Sequence, residues 1–303
     1  MIKGLCARYS EFEDVPLMKQ AGAEMLRVAF PYENSRPSQP DEWKEFDQFI
    51  EACETFGMPI MPCLTTDTNG QCKPNTISKR KIFAGYAERF ATRYQLKRYE
   101  IWNEPNGGPF VINEPGTKVK TSSLVMVLRD LEQGLRKADP GCKIITGGLM
   151  PKGSIRPIEF FQQLYRAGDG IRSCFDGVGL HPYGSTPADS VDRTREVRNT
   201  LNALRDVHTP LWLTEFGWGD KAGTPTAADP GEHVLGEDAL AAAVLRTIRA
   251  YRRLSGPKQL NVAGLFLYRW KDELSGVQSW PDHAGIVKLN GEHKPSYEAF
   301  QVA

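Results

Sequence analysis

Two glutamates stand where an apolar, strand-like run gives out. In KRYEIWNEPN, the extended stretch through Tyr99, Ile101 and Trp102 stops at Asn103, Glu104 and Pro105, and a proline without an N–H cannot continue a sheet ladder. In PLWLTEFGW, residues 210–214 read as a second buried strand, with Glu215 at its end before Phe216 and Gly217. Two carboxyls in such places, one protonated and one ionised, can split an acetal bond between sugars. One protonates the leaving oxygen while the other attacks the anomeric carbon. A single strand-end glutamate is more often a solvated loop carboxylate, so the case depends on whether the chain can aim both at one point.

The elements around them alternate. Strand-like runs at 2–7, 25–30, 59–64, the stretch before Glu104, 143–146, 177–181, 211–215 and 262–270 are separated by helical periodicity at 12–20, 41–56, 82–94, 122–138, 157–167, 191–207 and 240–254, with a last short helix at 297–302. This pattern predicts an α/β fold, a single (β/α)8 TIM barrel forming one catalytic domain over residues 1–303. The competing doubly wound sheet lacks its phosphate fingerprints: there is no G-x-x-x-x-G-K-[ST], and GVGLHP breaks G-x-G-x-x-G at its last position. Reactive groups on a barrel belong at the C-terminal ends of the strands. The candidates there are Arg27, Asn103, Glu104, His181, Tyr183, Glu215 and Trp270.

These strand ends carry a resemblance. WNEPN, LHPY, LTEFGW, a late strand ending in Trp and the tail AGIVKLNGEHKPSYEAF closely resemble clan A retaining glycoside hydrolases, in particular the family 39 and family 5-like branches, over almost the whole chain. The resemblance implies that Glu104 is the acid/base and Glu215 the nucleophile. Retention requires the two carboxyls to lie about 5 to 5.5 Å apart, and strands four and seven can face each other across a barrel mouth. While Glu215 is negative, repulsion keeps the proton on Glu104; once a glycosyl ester forms, that charge is gone and Glu104 can act as a base.

By the same resemblance, Asn103 donates to the sugar 2-hydroxyl, Arg27 orients Glu215 and keeps it ionised, Tyr183 hydrogen-bonds the nucleophile beside His181, and Trp270 forms the floor under the sugar. Each has a structural alternative. Asn103 could cap the turn before Pro105, Tyr183 could pack at the Pro182 turn, Trp270 could be core, and Arg27 could pair with Glu100, whose parity also points inward. Trp218, Trp280, Tyr32, Phe110 and Tyr268 are looser candidates for sugar platforms. Trp212, off the parity of Glu215, is expected to face the helices.

Composition narrows the partners. With 38 basic against 37 acidic residues and a net charge of +1, the chain offers no electrostatic footprint for nucleic acid or an anionic membrane, and a neutral carbohydrate fits better. No run approaches the roughly 20 apolar residues of a membrane span. MIKGLCARYS lacks a secretory pattern, so the expectation is a soluble monomer, cytoplasmic by default, with a secreted or virus-borne origin left open. No Asn-x-Ser/Thr acceptor occurs. Six cysteines are an even number, but Cys6, Cys53 and Cys63 sit inside predicted elements, which favours reduced thiols; Cys63 with Cys72 is the pair to check first.

No metal or other cofactor is expected. The five histidines never form HxH or HExxH, so a barrel metallohydrolase lacks its ligands. A sugar-binding barrel that had lost catalysis would be expected to lack one of the two carboxylates. The modest loops at 65–77, 103–121, 216–236 and 271–284, with no accessory β-domain, favour an open cleft and endo action on a polysaccharide. Exo action on a xyloside, glucoside or arabinofuranoside, and transglycosylation, are the alternatives.

Overall fold

Parallel strands β1 (Ile2–Ala7), β2 (Met25–Tyr32), β3 (Ile60–Thr66), β4 (Arg98–Ile101), β5 (Lys143–Thr146), β6 (Val178–Leu180), β7 (Leu211–Phe216) and β10 (Val262–Leu267) form one sheet in the order β5-β4-β3-β2-β1-β10-β7-β6. Parallel bridges Ile145–Gly177 and Leu149–Leu180 bring its two edges together, so the sheet is a nearly closed (β/α)8 barrel. The computed structural model describes residues 1–32, 43–66, 73–112, 118–168, 170–220, 234–274 and 279–303. A small parallel pair, β8 (Gly219–Asp220) and β9 (Val234–Leu235), is added at the mouth.

The strands read as apolar runs because both their faces are covered. Every residue of β3 and of β7 is buried. Outside the sheet lie α1 (Val15–Gln20), α2 (Lys44–Thr55), α3 (Ile77–Tyr94), α4 (Thr121–Ala138), α5 (Pro157–Tyr165), α6 (Pro187–Ala203), α7 (Glu237–Leu254) and α8 (Pro295–Gln301). Their apolar stripes pack on the strands through Phe49, Phe83, Phe90, Leu131, Phe160 and Tyr251. Capping sets the starts that periodicity misplaced. Thr76 accepts from Lys79 N at 3.3 Å and starts α3 at Ile77, and a Thr186–Asp189 capping box followed by Pro187 starts α6 earlier than residue 191.

A second core fills the barrel itself. Cys6, Met25, Met61, Ile145, Trp212 and Phe266, one from each of six strands, pack together beneath the mouth. Trp212 therefore faces the interior and not the helices. The reason is a bulge: Leu213 pairs with Leu265 and Phe216 with Leu267, so β7 spends three residues where β10 spends two. The extra residue breaks the period of two and lets Thr214 and Glu215, although adjacent, both serve the mouth.

The final barrel strand ends at Leu267, short of the Trp270 expected from its apolar run. Of the cysteines, Cys6, Cys53, Cys63, Cys142 and Cys174 are free and buried, and Cys72 lies outside the described residues. Burial pushes the Cys53 thiol up to about 12, as befits an inert core residue. No described helix is long and apolar enough to cross a membrane.

Candidate active site

Arg27 is the hub of the mouth. From the middle of β2 its guanidinium reaches three neighbours. Nε donates to Glu100 Oε2 at 2.5 Å, Nη1 to Glu215 Oε1 at 2.5 Å and Nη2 to Asn103 Oδ1 at 2.7 Å. Only 5% of Arg27 and none of Glu100 is exposed, so this cation is retained by carboxylates that surround it and not by water. Glu100 takes a second donor, the Gly148 N–H, at 3.0 Å. Arg27 therefore contacts both Glu100 and Glu215, the partners that the two readings named. Because Asn103 Oδ1 is occupied, its amide NH2 is the end left to donate into the cleft.

Glu104 is carried by an unusual turn. Trp102 and Glu104 both have left-handed backbones, with φ of 74° and 44°, conformations that cost a non-glycine residue energy. The turn is fixed from both sides: Glu104 N donates to Gly148 O at 3.0 Å and Trp102 Nε1 to Phe110 O at 2.5 Å. Gly147 and Gly148 permit this approach. A Cβ on Gly147 would lie 2.5 Å from Trp102 O, and one on Gly148 would lie 2.2 Å from His181 Nε2.

His181, wholly buried at the end of β6, links the two acids. Its Nδ1 is 2.9 Å from Glu104 Oε1 and 3.6 Å from Glu215 Oε2, and its Nε2 is 3.0 Å from Thr214 Oγ1. Carboxylate oxygens of Glu104 and Glu215 approach within 4.8 Å of one another. Burial alone works against charge on Glu215. It is outweighed by His181 and Arg27 and by hydrogen bonds from Tyr183 and Arg27, which together hold its carboxyl below the ordinary range. Burial likewise opposes a proton on His181, yet Glu215 and Glu104 raise its affinity for one. Burial and the Glu215 charge push the Tyr183 phenol well up, so its hydroxyl remains a donor, 2.7 Å from Glu215 Oε2.

These groups open onto a cavity of 770 Å³ whose walls include Cys6, Arg27, Thr65, Asn103, Glu104, Phe110, Tyr183, Glu215, Tyr268 and Trp280. Phe110, Tyr268 and Trp280 thus reach the cleft. Trp218 is buried and donates to Gly184 O at 2.8 Å, and Tyr32 packs on Tyr86 at 5.3 Å between ring centroids. Trp270 is the expected site residue that the structure places elsewhere. It is fully buried, and Nε1 donates to Asp14 Oδ2 at 2.9 Å. The strand stops three residues before it, and Tyr268 takes the place at the mouth. Arg8, Met150, Lys152, Arg193, Arg269 and Glu273 also line the cleft and were not singled out from sequence, since nothing in their local pattern marks them as inward-facing.

Two groups of side chains have metal-like spacing among the described residues. The first is Glu104, His181 and Glu215, but both ring nitrogens of His181 are engaged and Arg27 already supplies a positive charge. The second is Asp220, Asp272 and His283, where the Lys294 ammonium lies 2.7 Å from Asp220 and 2.8 Å from Asp272, in the place a cation would take.

With the geometry in hand, comparison with known proteins is informative. Residues 7–236 match the family model described as Cellulase (glycosyl hydrolase family 5). The chain belongs to that family. No curated protein matches the sequence. Among solved structures, it superposes on a family 39 glycoside hydrolase from Bacteroides cellulosilyticus WH2 with a TM-score of 0.72 and 19% identity, covering 99% of this chain and 62% of that one. The exo-β-1,4-mannosidase Op5Man5 from Opitutaceae bacterium strain TAV5 gives 0.69 and 18% identity, covering 100% and 59%. The family 1 β-glucosidase from Thermotoga maritima gives 0.72 and 12% identity, covering 99% and 97%. The chain spans about three-fifths of the length of the first two structures, at 62% and 59%. The families 5 and 39 expected from the strand-end motifs both appear, and these distant likenesses extend to the fold alone.

Proposed function

We propose that this chain is a retaining glycoside hydrolase that acts within a polysaccharide chain by double displacement. The carrying observation is the approach of Glu104 and Glu215 oxygens within 4.8 Å. That spacing suits direct attack by one carboxylate, whereas inversion needs about 6.5 to 9.5 Å to admit a water.

In the first step Glu215 attacks the anomeric carbon as the bond to the leaving oxygen breaks, and Glu104 gives that oxygen its proton. A glycosyl ester on Glu215 and an ionised Glu104 result. In the second step Glu104 takes a proton from water, the water oxygen attacks the anomeric carbon, and Glu215 leaves as a carboxylate. Arg27 and Tyr183 hold one oxygen each of the nucleophile, which fixes its direction of attack and keeps it ionised beforehand. The Asn103 amide meets the 2-hydroxyl.

A cavity of 770 Å³, roomy enough for more than one sugar, supports cleavage inside a chain. The loop positions 67–72, 113–117, 221–233 and 275–278, part of that expectation, lie outside the described residues. A panel of polysaccharides and aryl glycosides assayed with wild type and Glu215→Gln tests the proposal. Retained binding with lost turnover supports it, and unchanged turnover removes Glu215 from the mechanism. Products appearing only as monosaccharide from chain ends would replace endo action with exo.

A further inference from the structure

The cleft has a side pocket. A cavity of 270 Å³ between the start of α5, the end of β6 and α6 is lined by Lys152, Arg156, His181, Arg193 and Glu196, among others, and it shares Pro151, Lys152 and Arg193 with the main cleft. Arg193 therefore stands at the junction of the two.

The arginines of the cleft differ in how they are satisfied. Arg27 is held by Glu100 and Glu215. Arg8 is paired with Glu11 at 2.6 Å and with Glu273 at 3.2 Å, and Arg269 also pairs with Glu273. Arg193 has a different environment: its Nη1 is removed from solvent and meets no hydrogen-bond partner. A guanidinium N–H without an acceptor is unfavourable, and a small turn of this partly exposed side chain toward the cavities it already lines would let a ligand oxygen accept from it. A guanidinium also offers paired donors matched to carboxylate and to other oxyanions. The side pocket is also lined by the cation Arg156 and the acid Glu196.

We propose that Arg193 forms a subsite for an anionic group on the substrate, a carboxylate or a sulfate ester carried by a sugar, so that the preferred polysaccharide is acidic. The proposal rests on the glycoside hydrolase reading and deepens it, replacing the neutral substrate that net charge alone suggested. The bound anion fills the side pocket's mouth while the scissile bond lies at Glu104 and Glu215.

Binding, which needs no turnover, tests it. Calorimetry would compare oligosaccharides from glucuronoxylan and pectin with their carboxyl-reduced forms, and sulfated galactan oligosaccharides with their desulfated forms, on wild type and Arg193→Gln. The charged member of at least one pair should bind wild type about tenfold more tightly than its neutral counterpart, with most of that ratio lost in Arg193→Gln. Discrimination in the carboxylate pairs assigns a uronate, and in the sulfate pair a sulfate ester. Equal binding of charged and neutral members across all pairs, or a ratio that survives Arg193→Gln, overturns the proposal. If Arg193→Gln fails to fold, the salt dependence on wild type decides: the ratio should fall as ionic strength rises, and a salt-insensitive ratio counts against it. Turnover lost in Glu215→Gln together with no charge discrimination would sink the subsite alone and leave the hydrolase reading standing.

Discussion

The Tyr183 hydroxyl lies 2.7 Å from Glu215 Oε2, while Arg27 holds Oε1 of the same carboxylate at 2.5 Å. Each oxygen thus has its own donor, from opposite sides of the barrel mouth. Tyr183→Phe removes one donor without changing the ring. Its kcat should fall about tenfold to a hundredfold. With one stabilising bond gone, the pH at which activity fails on the acid side should also rise toward the ordinary glutamate value of about 4.3. Steady-state rates from pH 3 to 7 on both proteins check this, and an unmoved acid limb would show that Tyr183 does not tune the nucleophile.

His181 makes stability pH-dependent. Burial opposes its proton, but Glu215 and Glu104 prevail and raise its folded value above the unfolded one of about 6.5. The resulting stabilisation is complete below that unfolded value and is lost as pH rises through the folded one. The urea midpoint of wild type should therefore fall more steeply than that of His181→Gln as pH increases from 6 to 9.

Gly148→Ala tests how tightly the acids are spaced. The added Cβ would lie 2.2 Å from His181 Nε2 and 2.5 Å from Thr214 Oγ1, so His181 must move and Glu104 with it. A displacement of this size should lower kcat about a hundredfold or more. Wild-type rates in the variant would mean that His181 does not set the geometry.

Tyr268, and not Trp270, lines the cleft where a sugar floor was expected. Tyr268→Ala should raise KM, because its ring lines the cleft. Trp270→Phe should leave kcat/KM nearly unchanged and cost about 1–3 kcal/mol of stability through the lost Asp14 bond and the void left behind. Denaturation and kinetics on the two variants separate these roles.

What sequence could and could not convey follows from these residues. Strand-end polarity and alternation located the barrel, and parity alone paired Glu100 with Arg27, because both depend on local periodicity. Parity failed for Trp212, where a bulge between Leu213 and Phe216 inserts a residue that no local signal announces. It failed for Trp270 because an apolar run continues past the point where pairing stops, so burial persists while direction changes. Arg193 was missed because a charged residue in a polar helix reads as solvated, and only the packed fold shows that one of its nitrogens has lost water. Gly147 and Gly148 matter through contacts with Trp102 and His181, neighbours far along the chain.

The central claim is that Glu215 becomes covalently attached to the sugar, and the most direct measurement is peptide mapping by mass spectrometry. The enzyme would be inactivated with a panel of activated 2-deoxy-2-fluoro glycosides, which slow the second step more than the first. The account predicts one sugar residue added on the peptide bearing Glu215, with Glu104 unmodified. A reactive panel member that is turned over with inverted anomeric configuration, or an adduct on Glu104, would contradict it.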